Sequence, residues 1–267
     1  MPIRPTDVFI NFTGTTWTQE LVWLVANDFD YTKAAAVPLI ERFPFLEMIC
    51  KPVSGMLAKA PSPRFIKTHL PLSLMNPTLL DTAKVVYVAR DPRDVAVSCY
   101  HHAKLFRSMR FPNGFKDLWN IFYKDLFTLV PYFEHIKEAW EKRHHPNMLF
   151  LFYEELSKDL PAVIRRVARF LGKELNQDQM DRLCDHLSIE NFKKNESVNF
   201  EPMRKHGILY KETGINWAAD VLRPISLQSE VLLHTGILLG LPILNSVETN
   251  NKLRTITQRG LDKIAYY

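Results

Sequence analysis

Residues 84–98 read KVVYVARDPRDVAVS, and this stretch decides the fold because it joins a buried strand directly to a helix. Lys84–Ala89 is almost entirely apolar, as is typical of a strand that is covered on both faces of a parallel sheet. Asp91 is suited to cap the amino end of a helix, and Pro92 suits the first helical position. The stretch therefore predicts a β-strand followed at once by an α-helix.

The rest of the chain repeats this alternation of strands and helices. Short apolar runs predict further strands at 7–10 and 147–153. Helical spacing of apolar residues predicts helices over 17–27, 118–140 and about 160–171. Together these elements predict an α/β fold, with a P-loop-like, mostly parallel sheet flanked by helices on both faces. Ligands are then expected outside the carboxyl ends of the strands.

Composition narrows the class of protein only slightly. The 267 residues are 46% hydrophobic, and the net charge of +5 suits an anionic partner but is also common in proteins that bind no polyanion. Cys50, Cys99 and Cys184 form no CxxC pair, so neither a disulfide framework nor a zinc site is indicated. Residues 1–7 lack the apolar core of a signal peptide, and no run reaches the roughly 20 apolar residues of a membrane span. We expect a cytoplasmic protein with no membrane or nucleic-acid partner.

The first motif that could carry chemistry is TGTTW, residues 13–17, between a predicted strand and a predicted helix. Its backbone N–H groups and the hydroxyls of Thr13, Thr15 and Thr16 would form an anion cradle at the positive end of the helix dipole. Ordinary helix capping explains such a turn equally well. The Walker sequence GxxxxGK[ST] is absent from the chain, which disfavours an ATP-hydrolysing P-loop enzyme.

The second motif is KTHLP, residues 67–71, at the end of a short apolar run. His69 is suited to take a proton near neutral pH, and Lys67 could neutralise developing negative charge. Taken alone, a His before Leu-Pro is more often a loop residue than a base.

The third motif follows the strand at 84–89. Arg90 at the carboxyl end of this strand and Ser98 about two turns into the next helix could converge on one phosphate. The alternative is a surface salt bridge of Arg90 or its neighbour Arg93 with one of the aspartates at 91 and 94.

Taken together, these motifs resemble a known family. TGTTWTQE, KTHLP, YVARDPRDVAVSCYHH and FYEELSKDLP occur in an order and at a spacing that closely resemble the cytosolic sulfotransferases. ANDFDY, RFPFLE and RFLG are similar to the same family, particularly to its insect members. The resemblance runs from about residue 7 to about residue 207. We therefore divide the chain into a sulfotransferase domain at 1–213, short at its amino terminus, and a divergent segment at 214–267 within the same domain.

The resemblance implies that the chain uses 3′-phosphoadenosine 5′-phosphosulfate (PAPS) and releases 3′,5′-ADP (PAP). His69 would be the general base, with Lys67 as its transition-state partner. The phosphosulfate would be held by Thr13, Gly14, Thr15 and Thr16, with Trp17 near the adenine. The remaining nucleotide contacts would come from Arg90 and Ser98 at the 3′-phosphate, from Tyr153 and Ser188, and from a closing clamp of Arg204, Lys205 and Gly207. The family needs no metal, and the sequence shows no ligand cluster for one.

The resemblance breaks at three places. Ile10, Asn11 and Phe12 stand where the family has an aromatic residue, Pro and Lys, so the lysine that contacts the leaving oxygen is missing. The segment before the first strand is much shorter than is usual in the family. The tail after Gly207 matches poorly, and the family's dimer signature Lys-x-x-x-Thr-Val is not recognisable in it, which leaves a homodimer open.

These observations predict an enzyme that passes a sulfuryl group from PAPS to a hydroxyl or amine of a small, aromatic or apolar acceptor. A second hypothesis is a PAP- or PAPS-binding relic, because Phe12 replaces the loop lysine and activity would be reduced or lost. A nucleoside or nucleotide kinase is disfavoured by the missing Walker lysine and by the pairing of Arg90 with Ser98. Several Phe residues, at 43, 45, 106, 111 and 115, suggest an apolar pocket, although such spacing is more often ordinary core.

Overall fold

The computed structural model describes residues 3–12, 14–47, 55, 57–106, 114–126, 131–199 and 207. The strands are β1 (Val8–Phe12), β2 (Phe65–Thr68), β3 (Lys84–Ala89) and β4 (Met148–Phe152). The helices are α1 (Thr15–Ala26), α2 (Tyr31–Ala36), α3 (Leu39–Arg42), α4 (Leu79–Thr82), α5 (Pro92–Leu105), α6 (Phe115–Tyr123), α7 (Tyr132–Glu141), α8 (Tyr153–Lys158), α9 (Leu160–Leu171), α10 (Gln177–His186) and α11 (Ile189–Lys194). A 3₁₀ turn covers Leu72–Leu74.

The four strands form one sheet in the order β2-β1-β3-β4, and every pair in it is parallel. Val8 of β1 lies opposite Phe65 on one side and Lys84 on the other, so the central strands start at the same level. Because parallel strands end at the same edge, the residues that follow β1, β2, β3 and β4 meet at the carboxyl edge of the sheet. This edge contains the start of α1, KTHLP, Arg90 and Tyr153.

The two faces of the sheet are covered by separate hydrophobic clusters. Val86 and Val88 of β3 pack into one cluster together with side chains of α1, α9 and α10. Val85 and Tyr87, which alternate with them, pack into the other cluster with side chains of α5, α6 and α7. Because successive strand residues point to opposite faces, this arrangement requires β3 to be apolar throughout, as the sequence predicted. The α/β fold with helices on both faces is therefore confirmed.

Most local predictions agree with the structure. Asp91 caps α5, with its side chain accepting from the backbone N–H of Arg93 at 2.9 Å, and Pro92 is the first helical residue. Gly172 ends α9 with a φ of 71° in the left-handed region, where glycine carries no steric penalty. The prediction of a helix over 118–140 needs correction, because α6 ends at Tyr123. Asp125 then adopts a φ of 55°, a conformation that no helix continues.

Among the helices of the described residues, none is long and apolar enough to cross a membrane. The division into 1–213 and 214–267 stays a prediction, because residues 208–267 lie outside the described part of the chain. Thr13, Arg204 and Lys205 lie outside it as well.

Candidate active site

The turn between β1 and α1 depends on one glycine. Gly14 has a φ of 61° and directly precedes Thr15, the first residue of α1. A Cβ atom at this position would lie 2.3 Å from Cδ2 of Tyr153, so both the backbone conformation and the space require glycine. Thr15 and Thr16 are buried, and the first turn of α1 contains no acidic side chain. The positive end of the α1 dipole therefore faces this turn with no carboxylate of its own to neutralise it.

Tyr153 connects the turn to the end of β3. Its buried ring lies against Gly14 and makes an edge contact with Trp17, at 5.9 Å between ring centroids. The guanidinium carbon of Arg90 lies 4.0 Å from the centroid of the same ring, in a cation–π arrangement. Burial raises the pKa of the Tyr153 hydroxyl, which keeps it protonated and able to donate. The structure thus brings together Gly14, Trp17, Arg90 and Tyr153, four residues to which the family resemblance assigns nucleotide binding.

Ser188 is linked to this group through Trp17. The indole N–H of Trp17 donates to the carbonyl of Leu187 at 2.9 Å, which places the residue before Ser188 against the start of α1. The Ser188 side chain caps α11 by accepting from the backbone N–H of Asn191 at 3.3 Å. The fold therefore gives Ser188 a structural role, and its contact with a nucleotide stays a prediction.

The two arginines after β3 lie in different environments, which bears on whether they bind phosphate or form surface salt bridges. Arg93 forms an exposed ion pair with Asp91 at 2.6 Å, as that alternative expected. Arg90 also forms an ion pair, with Nε 3.5 Å from Asp94 Oδ2, but this pair is buried and does not lie at the surface as the alternative expected. The guanidinium of Arg90 lies over the ring of Tyr153. Ser98 lies half-buried on α5, about two turns beyond Arg90. Arg90 is thus held at the carboxyl edge of the sheet, whereas Arg93 belongs to the surface.

The second half of the site is built around Lys67 and His69 at the end of β2. The Lys67 ammonium lies 5.2 Å from the centroid of Phe45, and the His69 ring meets the same phenyl ring edge-on at 4.9 Å. Glu47 accepts from the Thr68 hydroxyl at 2.9 Å and also from the backbone N–H of His69. Phe45 and Glu47 belong to the segment after α3, which pairs with the outer side of β2 through a parallel bridge from Phe45 to Lys67.

Burial governs the protonation of these groups. Lys67 and His69 keep a little exposed surface, but protein atoms surround them closely enough that desolvation dominates both pKa values. Burial lowers the pKa of Lys67 to about 8, partly offset by the charge of Glu47. Burial, and secondarily the charge of Lys67, holds the pKa of His69 well below its usual value of 6.5. At neutral pH the site therefore offers a neutral imidazole beside a mostly protonated amine.

The comparison with protein families decides the identity of this arrangement. A sulfotransferase domain matches residues 9–224, which include the turn at Gly14, the Lys67–His69 pair, Arg90 and Tyr153. The chain belongs to the sulfotransferase family. The resemblance inferred from the motifs is thereby confirmed.

Several relatives of this chain can be named. The luciferin sulfotransferase of Photinus pyralis is 38% identical over 237 residues, covering 78% of this chain but only 63% of the relative, so the chain spans less than two thirds of that protein. Sulfotransferase 1A1 of Canis lupus familiaris is 34% identical over 204 residues, covering 74% of this chain and 69% of that relative. Retinol dehydratase in a complex with retinol and PAP is 43% identical, with a TM-score of 0.75, over 90% of this chain and 83% of that structure.

Sequence reasoning missed several residues of the candidate site. His102 lies one turn after Ser98 on α5, and its ring centroid is 4.4 Å from that of Phe106. Burial, and secondarily the charge of Lys67, lowers the pKa of His102 to about 4, so its imidazole is neutral beside the pair at the end of β2. Glu47, Tyr87, Tyr132 and His135 were missed too. The spacing of four from Ser98 could have indicated His102, but no local pattern indicates the others.

Of the residues expected to form the closing clamp, only one lies within the described part of the chain. Gly207 is described, and its φ of 69° is one that glycine adopts without strain. Its partners in the expected clamp, Arg204 and Lys205, lie outside the described residues, and the clamp stays a prediction. Within the described ranges, no group of three or more His, Cys, Asp or Glu side chains is placed to hold a metal ion. The expectation of a metal-free site also stays a prediction.

Proposed function

We propose that this sulfotransferase passes the sulfuryl group of PAPS to a hydroxyl of a small apolar acceptor. The observation that carries the proposal is the meeting of two half-sites at one edge of the sheet. The first is the turn at Gly14, which lies against the Tyr153 ring that Arg90 covers, and the second is the Lys67–His69 pair. The first is suited to a nucleotide phosphate, and the second to deprotonating an alcohol.

The residues present fit PAPS chemically. The start of α1 offers backbone N–H groups and the hydroxyls of Thr15 and Thr16, and Arg90 supplies a buried cation, so the donor set suits phosphate and sulfate oxygens. These residues, together with Trp17, Tyr153, Ser98 and Ser188, would hold the nucleotide. PAPS, when bound, supplies a sulfuryl group on a phosphate leaving group.

The chain's own residues would carry out the proton and charge steps. The neutral imidazole of His69 would accept the proton of the acceptor hydroxyl as the oxygen attacks. The charge of Lys67, next to His69 at the end of β2, would offset the negative charge that develops on the sulfuryl oxygens during transfer.

The acceptor class rests on the relatives and on Phe45. The solved structures of retinol dehydratase contain retinol in one complex and androsterone in another, each with PAP. Both ligands are apolar molecules with one hydroxyl. In this chain the aromatic ring of Phe45 lies against His69, which suits an apolar acceptor at the base. The cytoplasmic location and the absence of membrane and nucleic-acid partners stay predictions.

Titration with PAP, followed by an acceptor screen with labelled PAPS, tests the proposed function directly. We expect saturable PAP binding and transfer of label to at least one apolar alcohol or phenol. Binding without transfer to any acceptor class would instead support the relic hypothesis. The comparisons do not favour that hypothesis, because the curated relatives are named as sulfotransferases.

Replacement of Arg90 tests the nucleotide half of the site. Arg90→Ala is expected to weaken PAP binding by about tenfold to a hundredfold, because a hydrogen bond to a charged group usually contributes this much to affinity. Binding of 5′-AMP should hardly change, since it has no 3′-phosphate. Arg93→Ala is the matched control, because Arg93 pairs with Asp91 at the surface. Equal losses for both nucleotides, measured by calorimetry, would contradict the assignment of Arg90.

Restoring the family's loop tests the consequence of Phe12. A loop of normal length that contains Pro-Lys should raise transfer at least about tenfold, because a donor to the leaving oxygen is typically worth about 10²–10³ in rate. Phe12→Lys alone should do less, since the amine would be misplaced. If the unmodified chain already turns over at about 1 s⁻¹ or more, the missing charge comes from another residue.

A further inference from the structure

Helix α7 places three polar side chains along one face, and each bonds to a segment at the carboxyl edge of the sheet. Tyr132, His135 and Glu138 are spaced three residues apart, so they lie close together on the helix surface. The Tyr132 hydroxyl donates to the backbone carbonyl of Arg90. The His135 ring bonds to the backbone carbonyl of His69 at 3.0 Å. Glu138 accepts from the backbone N–H and the hydroxyl of one serine, Ser73, at 3.0 and 2.8 Å.

The tautomer of His135 follows from its partners. A carbonyl oxygen can only accept, so Nε2 of His135 carries the proton that it shares with the carbonyl of His69. Nδ1 lies 2.8 Å from the Tyr87 hydroxyl, which donates to it when the imidazole is neutral. His135 is buried at 4% exposure, and burial lowers its pKa, which favours this neutral form. A chain of hydrogen bonds therefore runs from β3 through α7 to the residue after β2.

The backbone of His69 is held from two sides as a result. Its N–H donates to Glu47, from the segment after α3, while its carbonyl accepts from His135, from α7. Two elements distant in the sequence thus fix the peptide groups that flank the imidazole. Placement matters here, because a shift of about 1 Å in a reacting group can cost about a hundredfold in rate.

We propose that α7 is a positioning helix of the active site, in which His135 sets the place of the His69 base and Tyr132 sets the place of Arg90. The two carbonyls that it fixes belong to the two half-sites, and they are bound by side chains one turn apart on a single rigid helix. The helix therefore defines the distance between the acceptor base and the nucleotide arginine. This inference rests on the proposed function, since it assigns these residues to sulfuryl transfer.

A purely structural role predicts a different pattern of effects. If α7 only packed against the sheet, loss of either bond would lower the melting temperature and would leave kcat, KM and PAP affinity of the folded protein nearly unchanged. A positioning role separates the two bonds, because His135 acts on the base and Tyr132 on the nucleotide arginine. The test therefore compares kcat, KM for the acceptor, PAP affinity and melting temperature in each variant.

Two substitutions of His135 distinguish the bond to His69 from the bond to Tyr87. A Gln side chain at position 135 would place its amide nitrogen near the position of the imidazole Nε2. The shorter Asn side chain would place its amide nitrogen only near the position of Nδ1. We expect His135→Gln to keep kcat within about threefold of the unmodified protein. His135→Asn should lower kcat by about tenfold to a hundredfold. PAP affinity should stay within about twofold in both variants.

Tyr132→Phe tests the other bond, since it removes one hydroxyl and leaves the ring in place. Loss of the donor to the Arg90 carbonyl should weaken PAP binding about fivefold to tenfold, within the usual worth of one buried hydrogen bond. Binding of 5′-AMP should change much less. Ser73→Ala serves as the matched control, because it removes a bond to the same face of α7 outside the site. This control should leave kcat and PAP affinity unchanged.

The outcomes separate this inference from the proposed function. If the unmodified protein neither binds PAP nor transfers label, the proposed function fails and the inference falls with it. If the unmodified protein is active, equal kcat values for His135→Gln and His135→Asn overturn the positioning role. If His135→Asn does not fold, His135→Gln still tests the proposal. A folded Gln variant with near-normal kcat supports it, and a folded Gln variant with a large loss of kcat contradicts it.

Discussion

His69→Ala is expected to lower kcat by about 10²–10⁴ while leaving PAP affinity nearly unchanged. The imidazole lies at the end of β2 against Phe45, in the half-site without the nucleotide arginine, so its loss removes a proton acceptor and no nucleotide contact. The side chains of Glu47 and His135 bond only to the backbone of residue 69, so these bonds can persist in the alanine variant. The fold of the site should therefore survive the substitution.

The pH dependence gives a second measure of the same base. Burial and the charge of Lys67 hold the pKa of His69 well below 6.5, so the imidazole is already neutral at pH 7. As the pH falls, the base is lost only when the pH reaches this lowered pKa, and activity should therefore persist through pH 6.5. An activity loss centred near pH 6.5, as for an ordinary exposed histidine, would contradict the buried environment of His69.

A matched histidine provides the control for His69→Ala. His144 is exposed and lies just before β4, at the amino edge of the sheet and therefore opposite the site. His144→Ala should leave kcat, KM and PAP affinity unchanged. If His69→Ala keeps its rate, or if PAP affinity falls as steeply as kcat, His69 has a role other than that of the base.

The sequence predicted β3 well because of where this strand lies, whereas β1, predicted at 7–10, extends to Phe12. Central parallel strands are buried on both faces, and the resulting apolar runs are hard to mistake, so β3 has the predicted bounds Lys84–Ala89. The helix prediction over 118–140 was less successful, since apolar spacing continues across the gap between α6 and α7. Asp125, whose φ lies in the left-handed region, ends the helical conformation. The spacing of apolar residues carries no information about the backbone angle of one residue.

The candidate site was predictable only where motifs carried it. KTHLP and Arg90 were found because family resemblance assigns them, and β2 and β3 bring them to one edge of the sheet. The roles of Glu47, His135 and Tyr132 could not be found in this way. Their contacts depend on how α7 and the segment after α3 pack against the sheet ends, and no spacing within either segment encodes a partner far away in sequence.

Lys67→Met is expected to lower kcat by about 10²–10³, because Lys67 takes on greater importance where the loop lysine is missing. The strand register places Lys67 directly beside Ile10 of β1, just before the turn that leads to α1. Lys67 therefore lies on the strand next to β1, two residues before the level of Phe12, where the family's lysine would stand. Met keeps most of the side-chain volume against Phe45, so the substitution removes mainly charge.

The pH profile distinguishes a charge effect from a packing effect at Lys67. The pKa of Lys67 is lowered to about 8, so the amine loses its proton as the pH rises through this value. If its charge assists transfer, kcat/KM for PAPS should fall above about pH 8 in the unmodified protein. Lys67→Arg should remove this alkaline decline, because the guanidinium stays charged throughout the range. A profile that is flat to pH 10, or an equal decline in the Arg variant, would show that the charge of Lys67 does not take part in transfer. In that case the restored loop lysine should give the full gain in rate.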